Sequence, residues 1–402
     1  MSKQILITRS LLEMAVNDPL TRLVQIFGDQ NGHRLFGAAE GDSPAGFVTR
    51  GDLLETVPGQ RGLTVDGQNI NDIWTNMQAM LAAFNRSNDQ VVSLLSFETV
   101  LANEKVGVPI NPGFQKATEL GRPSKIRMTQ VVRGFPIEHY DIGDGYTQEY
   151  IDSATGAQLM AVQATVLNSW TELDRELILE AIFGNANYTD QDNIAVKRLY
   201  NADGEVPPKI KRWTHSGSHT HYLFNGGGGF VEANLDTMGD HLVHHGFREF
   251  GDAAFLLLAH RDDVSTVRGF TNFIPASSGE HPRILANSGV VKGLQRLEGS
   301  GGLSVEGWVN DWTIIQFNDM PSGFFLGIVS GGPMDVRNII GRRVHENPSV
   351  RGLRLIEGNR QNYPLYDSVY DGYAGAGVGQ RGAGVIMQNA GSYTAPTFTT
   401  GV

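Results

Sequence analysis

The residues of this chain best suited to chemistry are six histidines that lie between positions 215 and 245. His241 and His245 are four residues apart in a stretch of helical periodicity, which places two imidazoles on one helix face, as a metal site requires. His219 and His221 lie in the turn-rich segment before that stretch and could supply further ligands. The alternative is a set of solvated surface histidines. We expect this alternative to hold, with no bound metal and no cofactor.

Other signatures of enzyme chemistry are missing from the sequence. There are no cysteines, no glutamate follows His241, and neither a P-loop nor a G-x-S-x-G motif occurs. Gly377, Gly379 and Gly382 match G-x-G-x-x-G, but the next residues are typical of a strand and no acidic residue follows. We therefore expect turn and close-packing glycines and no enzymatic activity. A metal-dependent enzyme that uses the His215 to His245 cluster remains the less favoured alternative.

Composition limits the classes of protein further. A chain of 402 residues is long enough for two or three domains, and 49 glycines favour many turns and a large share of β structure. The net charge of −11 repels phosphate backbones on average, which disfavours sequence-specific binding of nucleic acid. No run of eighteen apolar residues occurs, so we expect no membrane span.

The element that would organise these parts is a long helix over residues 153–184. Apolar residues recur there at steps of three and four. The opposite face, which we expect to be solvated, carries Asn168, Glu172, Arg175 and Glu176. Ser153 is a suitable N-cap, and Gly184 suits the position after the last turn. The apolar positions are Leu159, Met160, Val162, Val166, Leu167, Trp170, Leu173, Leu177 and Ile178.

The segments around this helix carry weaker patterns. Residues 70–84 are typical of an amphipathic helix, and residues 96–150 are typical of a long hairpin with turn residues between positions 111 and 123. Each arm of this hairpin has few apolar residues, and an isolated two-stranded hairpin is marginal in water. We expect it to rest on another surface. The apolar run Phe255 to Ala259 predicts a strand buried on both faces, followed by a short helix.

The order of these parts resembles the major capsid proteins of tailed double-stranded DNA bacteriophages, which have the HK97-like fold. The resemblance lies in the hairpin, the long helix, the segment FLLLAHRDDVSTVRGF, the late strands GFFLGIVSGGPMDVRNIIGRRV and the closing GQRGAGVIMQ. It implies an α+β fold with an N-terminal arm, an E-loop hairpin, a peripheral domain with a spine helix, and an axial domain. The implied ranges are 1–95 for the arm, 96–150 for the E-loop, 151–250 for the peripheral domain with its spine helix at 153–184 and an insertion near 201–230, 251–355 for the axial domain, and 356–402 for the return to the peripheral domain and the tail.

The resemblance also implies a function. Copies of such a chain form hexamers and pentamers of an icosahedral shell in the virion, which encloses double-stranded DNA without reading its sequence and is assembled in the host cytoplasm. The charged residues of the hairpin tip would contact a neighbouring copy or remain solvated: Lys116, Glu119, Arg122 and Lys125. An encapsulin, a shell of the same fold that encloses proteins, is the alternative.

Further partners and modifications follow from the family pattern. Many relatives begin with a long charged helical scaffolding segment, which is not visible here, so we expect a separate scaffolding protein, together with a portal and possible decoration protein. Some relatives join subunits through a lysine–asparagine isopeptide bond. The candidates here are Lys105, Lys116 and Lys125 in the hairpin and Asn338 and Asn347 late in the chain. Such residues are common, and we expect no crosslink.

Overall fold

The computed structural model describes residues 63–87, 89–110, 116, 125, 127–209, 213–247, 254–276, 303–357 and 365–398. Six α-helices lie within these ranges: α1 (Ile70–Phe84), α2 (Gln90–Leu95), α3 (Gln148–Ser153), α4 (Gly156–Phe183), α5 (Glu232–His244) and α6 (Arg261–Arg268). The N-terminal arm expected before residue 63 lies outside the described residues. No helix in the described part of the chain has the length and apolar character needed to cross a membrane.

The strands of the described residues form five sheets. The first nine strands are β1 (Ser96–Thr99), β2 (Asn103–Ile110), β3 (Arg127–Gly134), β4 (Glu138–Thr147), β5 (Tyr188–Thr189), β6 (Ala195–Val196), β7 (Tyr222–Phe224), β8 (Ala254–Ala259) and β9 (Phe273–Pro275). The remaining strands are β10 (Leu303–Val309), β11 (Trp312–Phe317), β12 (Phe324–Ser330), β13 (Ile340–Arg343), β14 (Arg354–Glu357), β15 (Leu365–Ala374), β16 (Ala376–Val378) and β17 (Gly384–Gln388). This mixture of helices and sheets confirms the α+β class.

The chain divides into two compact units. The first comprises the described residues within Met1–Asn88, Glu138–Leu173 and His345–Ala374, and the second comprises those within Asp89–Ile137, Asp174–Val344 and Gly375–Val402. The finer domain ranges implied by the family resemblance remain predictions.

In the first unit, helix α1 packs on the start of the spine helix α4. Ile73, Met77 and Met80 share a buried cluster with Leu159 and Met160. A sheet in the order β14-β15-β4 completes the unit. The helix predicted over residues 70–84 is confirmed, with the bounds given above.

The spine helix begins three residues later than the sequence predicts. Ser153 ends the separate helix α3, and Thr155 caps α4 instead. The Thr155 hydroxyl accepts from the Gln158 N–H at 3.3 Å, and the Gln158 side chain accepts from the Thr155 N–H at 2.8 Å. This reciprocal pair is a capping box, which stabilises a helix start better than Ser153 alone could.

At the other end of α4, Gly184 follows the last turn, as predicted, but its φ is not positive. A Cβ at this position would lie 2.9 Å from the Glu180 carbonyl oxygen and 3.1 Å from the Arg198 guanidinium carbon. Close packing, rather than a left-handed conformation, therefore favours glycine here.

The second unit is built on a seven-stranded sheet in the order β7-β17-β12-β8-β11-β10-β9. Strand β8 lies at its centre, parallel to β11 and antiparallel to β12. Leu256 and Leu258 pack in the core on one face of the sheet, whereas Phe255, Leu257 and Ala259 pack in the core on the other. The prediction of a strand buried on both faces is confirmed.

The second half of α4 belongs to this unit. Ile178, Ile182 and Phe183 are buried in the core that also contains Leu256 and Leu258. The stripe read from the sequence is confirmed at most positions, and Asn168 and Glu172 are exposed. Two further polar residues of the helix were expected to be solvated but are only partly exposed, Arg175 and Glu176.

Arg175 departs from that expectation because two carboxylates bind it. Its Nε donates to Asp89 Oδ2 at 2.6 Å, and a terminal nitrogen donates to Asp319 Oδ2 at 2.7 Å. Asp174 is buried beside it and pairs with Arg342 at 2.8 Å. Residues separated by 86 to 168 positions make these pairs, so the periodicity of the helix alone could not reveal them.

Candidate functional site

Within the segment 96–150, which the sequence predicts to be the E-loop, the structure describes a two-stranded hairpin. Its arms are β2 and β3, paired antiparallel from Asn103 opposite Gly134 to Ile110 opposite Arg127. Strand β1 pairs instead with β13, and β4 pairs with β15. The tip between Ile110 and Arg127 lies outside the described residues, except for positions 116 and 125.

The base of this hairpin is held closely. A Cβ at Gly134 would lie 2.3 Å from the Ala195 carbonyl oxygen and 2.6 Å from a methyl group of Ile194. Only glycine allows this approach of strand β3 to the segment that contains β6. The base of the hairpin is therefore fixed in position within the second unit.

Away from the base, one face of β3 presents apolar side chains to solvent. Met128 is 65% exposed and Val132 is 38% exposed, and Gln130 between them is also exposed. Residues two apart along a strand lie on the same face. The hairpin thus carries an apolar strip, defined here as Met128 and Val132, that the described part of the chain leaves uncovered.

The charged residues predicted to make assembly contacts are described only in part. Lys116 and Lys125 are exposed, which suits either a contact with another copy or a solvated loop. Glu119 and Arg122 lie outside the described residues. Their role as assembly contacts stays a prediction.

The histidine cluster is more compact than the sequence indicates. His219 Nε2 lies 3.0 Å from His221 Nε2 and 3.0 Å from His245 Nε2, and the last two atoms are 2.9 Å apart. His241 joins this group, since it offers a ring nitrogen within 4.8 Å of ligand atoms of His219 and His221. The structure therefore brings together all four histidines singled out from the sequence.

The expectation of solvated surface histidines is wrong for two members of the cluster. His221 is fully buried and His245 is 9% exposed. Strand β7, which follows His221 directly, pairs with β17 and carries His221 into the interior, where its Nδ1 contacts the Gly384 carbonyl oxygen. His215, which was not among the four candidates, stacks on His245 with ring centroids 4.7 Å apart.

Burial shifts the protonation of these rings. Desolvation, with smaller effects from the neighbouring imidazoles, lowers the pKa of His219 to about 4 and that of His245 to about 2. The pKa of His221 is lowered well below its ordinary value for the same reasons. All three rings are consequently neutral near pH 7, and neutral imidazole is the form that binds metal ions.

The G-x-G-x-x-G glycines serve packing, as predicted. A Cβ would lie 2.5 Å from the Gly134 carbonyl oxygen at Gly377, 2.6 Å from the Phe97 ring at Gly379, and 2.8 Å from the His245 ring at Gly382. These approaches hold β16 and the following turn against their neighbours in the second unit.

Asn338, one candidate for a crosslink, is buried and fully engaged. Its Nδ2 donates to the carbonyl oxygens of Ser96 and Gly332, both at 2.9 Å, and to that of Ser93 at 3.2 Å. Because the Asn338 side chain is 1% exposed, its amide carbon is not accessible to the amine of a lysine from another copy. Asn347, the other candidate, is exposed.

Comparison with known proteins identifies solved structures that are similar to this chain. No protein-family model and no curated protein sequence matches the chain. A solved structure from Mycobacterium phage Patience is similar, with 30% sequence identity, a TM-score of 0.64, and coverage of 85% of this chain and 97% of that chain.

More distant solved structures are also similar to this chain. The capsid of a native GTA particle has 14% identity and a TM-score of 0.44 over 76% of this chain and 91% of that chain. The SrpI encapsulin from Synechococcus elongatus has 13% identity and a TM-score of 0.41 over 77% and 89%. The first of these three likenesses covers 85% of this chain and 97% of that chain, so it extends over most of the fold described above. The chain belongs to the HK97-like major capsid proteins of tailed bacteriophages and is a structural, capsid-forming protein of the virion.

Proposed function

We propose that this chain is the shell subunit of an icosahedral capsid that encloses double-stranded DNA, and that the E-loop hairpin makes the principal contact between copies. The observation that carries the proposal is the uncovered apolar strip of Met128 and Val132 on a two-stranded hairpin. Such a hairpin gains stability only by lying on another surface. A neighbouring copy in a hexamer or pentamer provides that surface in every subunit.

The charge of the chain is compatible with this function. With a net charge of −11, the average surface does not bind the DNA backbone tightly. A container that must release its genome gains nothing from strong, sequence-specific contacts. We infer that DNA is enclosed and not recognised.

Other partners belong to the same proposal. We propose that a separate scaffolding protein directs assembly in the host cytoplasm, and that a portal and a decoration protein complete the particle. The family resemblance supports these partners. Co-expression of the chain with the scaffolding protein of its own phage should raise the yield of uniform shells above that of the chain alone, and equal yields would contradict this part of the proposal.

The hairpin contact is tested by Met128→Asp, with Met128→Leu as the matched control. A carboxylate at this position would be desolvated when a neighbour covers the strip, so assembly should fall at least tenfold by light scattering and native gel electrophoresis. Leucine keeps the apolar surface and should leave assembly unchanged. Because Met128 is exposed, both variants should keep the circular dichroism of the parent chain; assembly of Met128→Asp at the parent level would overturn the proposal.

A further inference from the structure

The histidine cluster is a second candidate site, separate from the hairpin. We propose that His219, His221 and His245 bind one divalent transition-metal ion through their Nε2 atoms. His241 and His215 are the two candidates for the fourth ligand. The ion would have a structural role within the second unit.

The Nε2 atoms of His219, His221 and His245 lie 2.9 to 3.0 Å from one another. A neutral imidazole nitrogen either carries a proton and donates, or carries a lone pair and accepts. Among three atoms at least two are alike, so at least one of the three contacts sets proton against proton or lone pair against lone pair. No placement of protons on the three nitrogens can therefore turn all three contacts into hydrogen bonds.

The tautomer of His221 shows which of the contacts conflict. Its Nδ1 faces the Gly384 carbonyl oxygen, which can only accept, so Nδ1 carries the proton and Nε2 of the neutral ring carries a lone pair. His219 and His245 would then both have to donate to one lone pair, with their own protons opposed. A metal ion resolves the conflict because it accepts the lone pairs of all three rings.

The spacing suits a metal ion of small radius. An ion about 2.0 to 2.1 Å from each nitrogen lies about 1.1 Å above the plane of a triangle with these sides. Tetrahedral ligands of such an ion are about 3.3 Å apart. The three nitrogens therefore need to separate by only a few tenths of an ångström.

A fourth ligand is available nearby. His241 Nδ1 and His215 Nε2 are buried atoms for which the described part of the chain supplies no hydrogen-bond partner. Each ring belongs to a group that includes His219 and has its ligand atoms within 4.8 Å of one another. Either ring could complete a four-coordinate site and gain a partner for its nitrogen.

The surroundings hold the ligand rings in place. The carbonyl of Gly384 orients His221, as second-sphere acceptors commonly orient metal-binding histidines. Tyr200 stacks on His245 with ring centroids 5.3 Å apart and an interplanar angle of 9°. Gly382, in the turn before β17, packs so closely against the same ring that a Cβ there would lie 2.8 Å from it.

The donor set selects the class of metal. Imidazole nitrogens suit Zn²⁺, Co²⁺, Ni²⁺ and Cu²⁺, whereas Mg²⁺ and Ca²⁺ prefer oxygen ligands. His221 is fully buried and His245 is 9% exposed. A site closed by protein ligands and buried in this way is typical of structural zinc.

The elements joined by the ligands explain what the ion would do. His219 and His221 precede the edge strand β7, which pairs with β17 over three residues. His245 lies at the C-terminal end of helix α5. An ion bound to all three would fasten the insertion near residues 201–230 to the sheet and to α5.

The test uses the full-length, untagged chain. The protein is stripped with a chelator, dialysed, and titrated with Zn²⁺ and separately with Co²⁺. We expect about one ion per chain by elemental analysis, visible absorption of tetrahedral Co²⁺, and a rise of about 5 °C in Tm with excess Zn²⁺. The double variant His219→Gln/His245→Asn should lose all three responses.

His260→Asn is the matched control. It removes one imidazole outside the cluster, and asparagine can replace the capping acceptor that His260 Nδ1 provides for Asp262 N–H. This variant should bind metal like the parent chain. The single variants His241→Asn and His215→Asn identify the fourth ligand by which of them changes the Co²⁺ spectrum.

Two results would overturn the proposal. The first is a stripped parent chain that takes up no stoichiometric Zn²⁺ or Co²⁺ and shows no change in Tm. The second is undiminished Co²⁺ absorption in the double variant. Because the parent chain gives a result by itself, misfolding of a variant does not leave the proposal untested.

Discussion

Asn338 shows how a single buried side chain joins distant segments of the second unit. Its amide nitrogen donates to three carbonyl oxygens, and its Oδ1 accepts from Ser330 Oγ at 3.1 Å and Gly331 N–H at 3.2 Å. Each buried partner left unsatisfied costs about 1 to 3 kcal/mol. The asparagine therefore stabilises the junction of α2, β12 and β13.

We predict that Asn338→Asp lowers the free energy of unfolding by about 3 kcal/mol or more, because it sets a carboxylate against three carbonyl oxygens. Asn347→Asp is the matched control. Asn347 is exposed and its Oδ1 accepts from Ser349 N–H at 3.0 Å, a role that aspartate fills equally well. Denaturant unfolding of both variants measures the difference, and equal stability would contradict the account of Asn338.

Arg381 has a similar role in holding the insertion. Buried to 5% exposure, it donates to the Arg198 carbonyl oxygen at 2.7 Å, Asp203 Oδ2 at 2.8 Å and Glu205 Oε2 at 3.0 Å. We predict that Arg381→Met lowers the free energy of unfolding by about 3 to 5 kcal/mol, since it leaves partly buried carboxylates without their cation. Arg268→Met, which breaks only the more exposed pair with Glu306, should cost about 1 kcal/mol or less.

The effect of Arg381→Met should depend on pH. Burial raises the pKa of Asp203, but the hydrogen bond and the charge of Arg381 outweigh it, so the pKa lies below its ordinary value. A depressed carboxyl pKa contributes stability above about pH 4, which is lost as the pH falls further. The difference in unfolding free energy between parent and variant should therefore shrink below about pH 4, and a constant difference down to pH 2 would contradict this origin.

At the scale of elements, the start of the spine helix depends on its cap. The capping box of Thr155 and Gln158 is reinforced by Asp66, whose Oδ1 accepts from the Gly156 N–H at 3.2 Å. We predict that Thr155→Ala lowers stability by about 1 kcal/mol. Thr165→Ala in the middle of the same helix should be neutral or stabilising, because the exposed Thr165 hydroxyl bonds only back to the Ala161 carbonyl; a comparable loss of Tm in both variants would argue against the cap.

The elements also show how far the sequence could predict this structure. The apolar period of α4 and the run Phe255 to Ala259 are local patterns, and both gave the correct element. The N-cap predicted at Ser153 is wrong: Ser153 is a good N-cap residue by type, but the reciprocal hydrogen bonds of Thr155 and Gln158 place the cap two residues later. The order of strands in the sheet could not be predicted from local patterns, because β8 pairs in parallel with β11, which lies more than fifty residues later in the chain.

In the candidate sites too, local patterns are predictable from the sequence and contacts between distant segments are not. The spacing of His241 and His245 on one helix was visible in the sequence, but the approach of His219 and His221 depends on the pairing of β7 with β17, which lie far apart in the chain. Burial of His221 was therefore not predictable. For the hairpin, the sequence predicts that it rests on another surface, and Met128 and Val132 are apolar side chains that remain exposed in the single chain.

At the scale of the whole molecule, assembly depends on surfaces that the described part of a single copy leaves exposed. The hairpin carries exposed Lys116 and Lys125 at its tip and the apolar strip on strand β3. If these lysines pair with acidic groups of a neighbour, Lys116→Glu/Lys125→Glu should slow assembly by about tenfold at low salt and by less at 1 M salt, where charges are screened within about 3 Å. Stopped-flow light scattering measures the rates, and an unchanged rate at low salt would favour a solvated tip.

The most direct test of the shell-subunit account is electron microscopy of the purified full-length protein, alone and after co-expression with its scaffolding protein. We predict hexamers, pentamers or closed icosahedral shells. Particles isolated from phage should contain DNA and not a protein cargo. A monomer that stays soluble and unassembled under all these conditions would contradict the account, and shells filled with protein would identify an encapsulin instead.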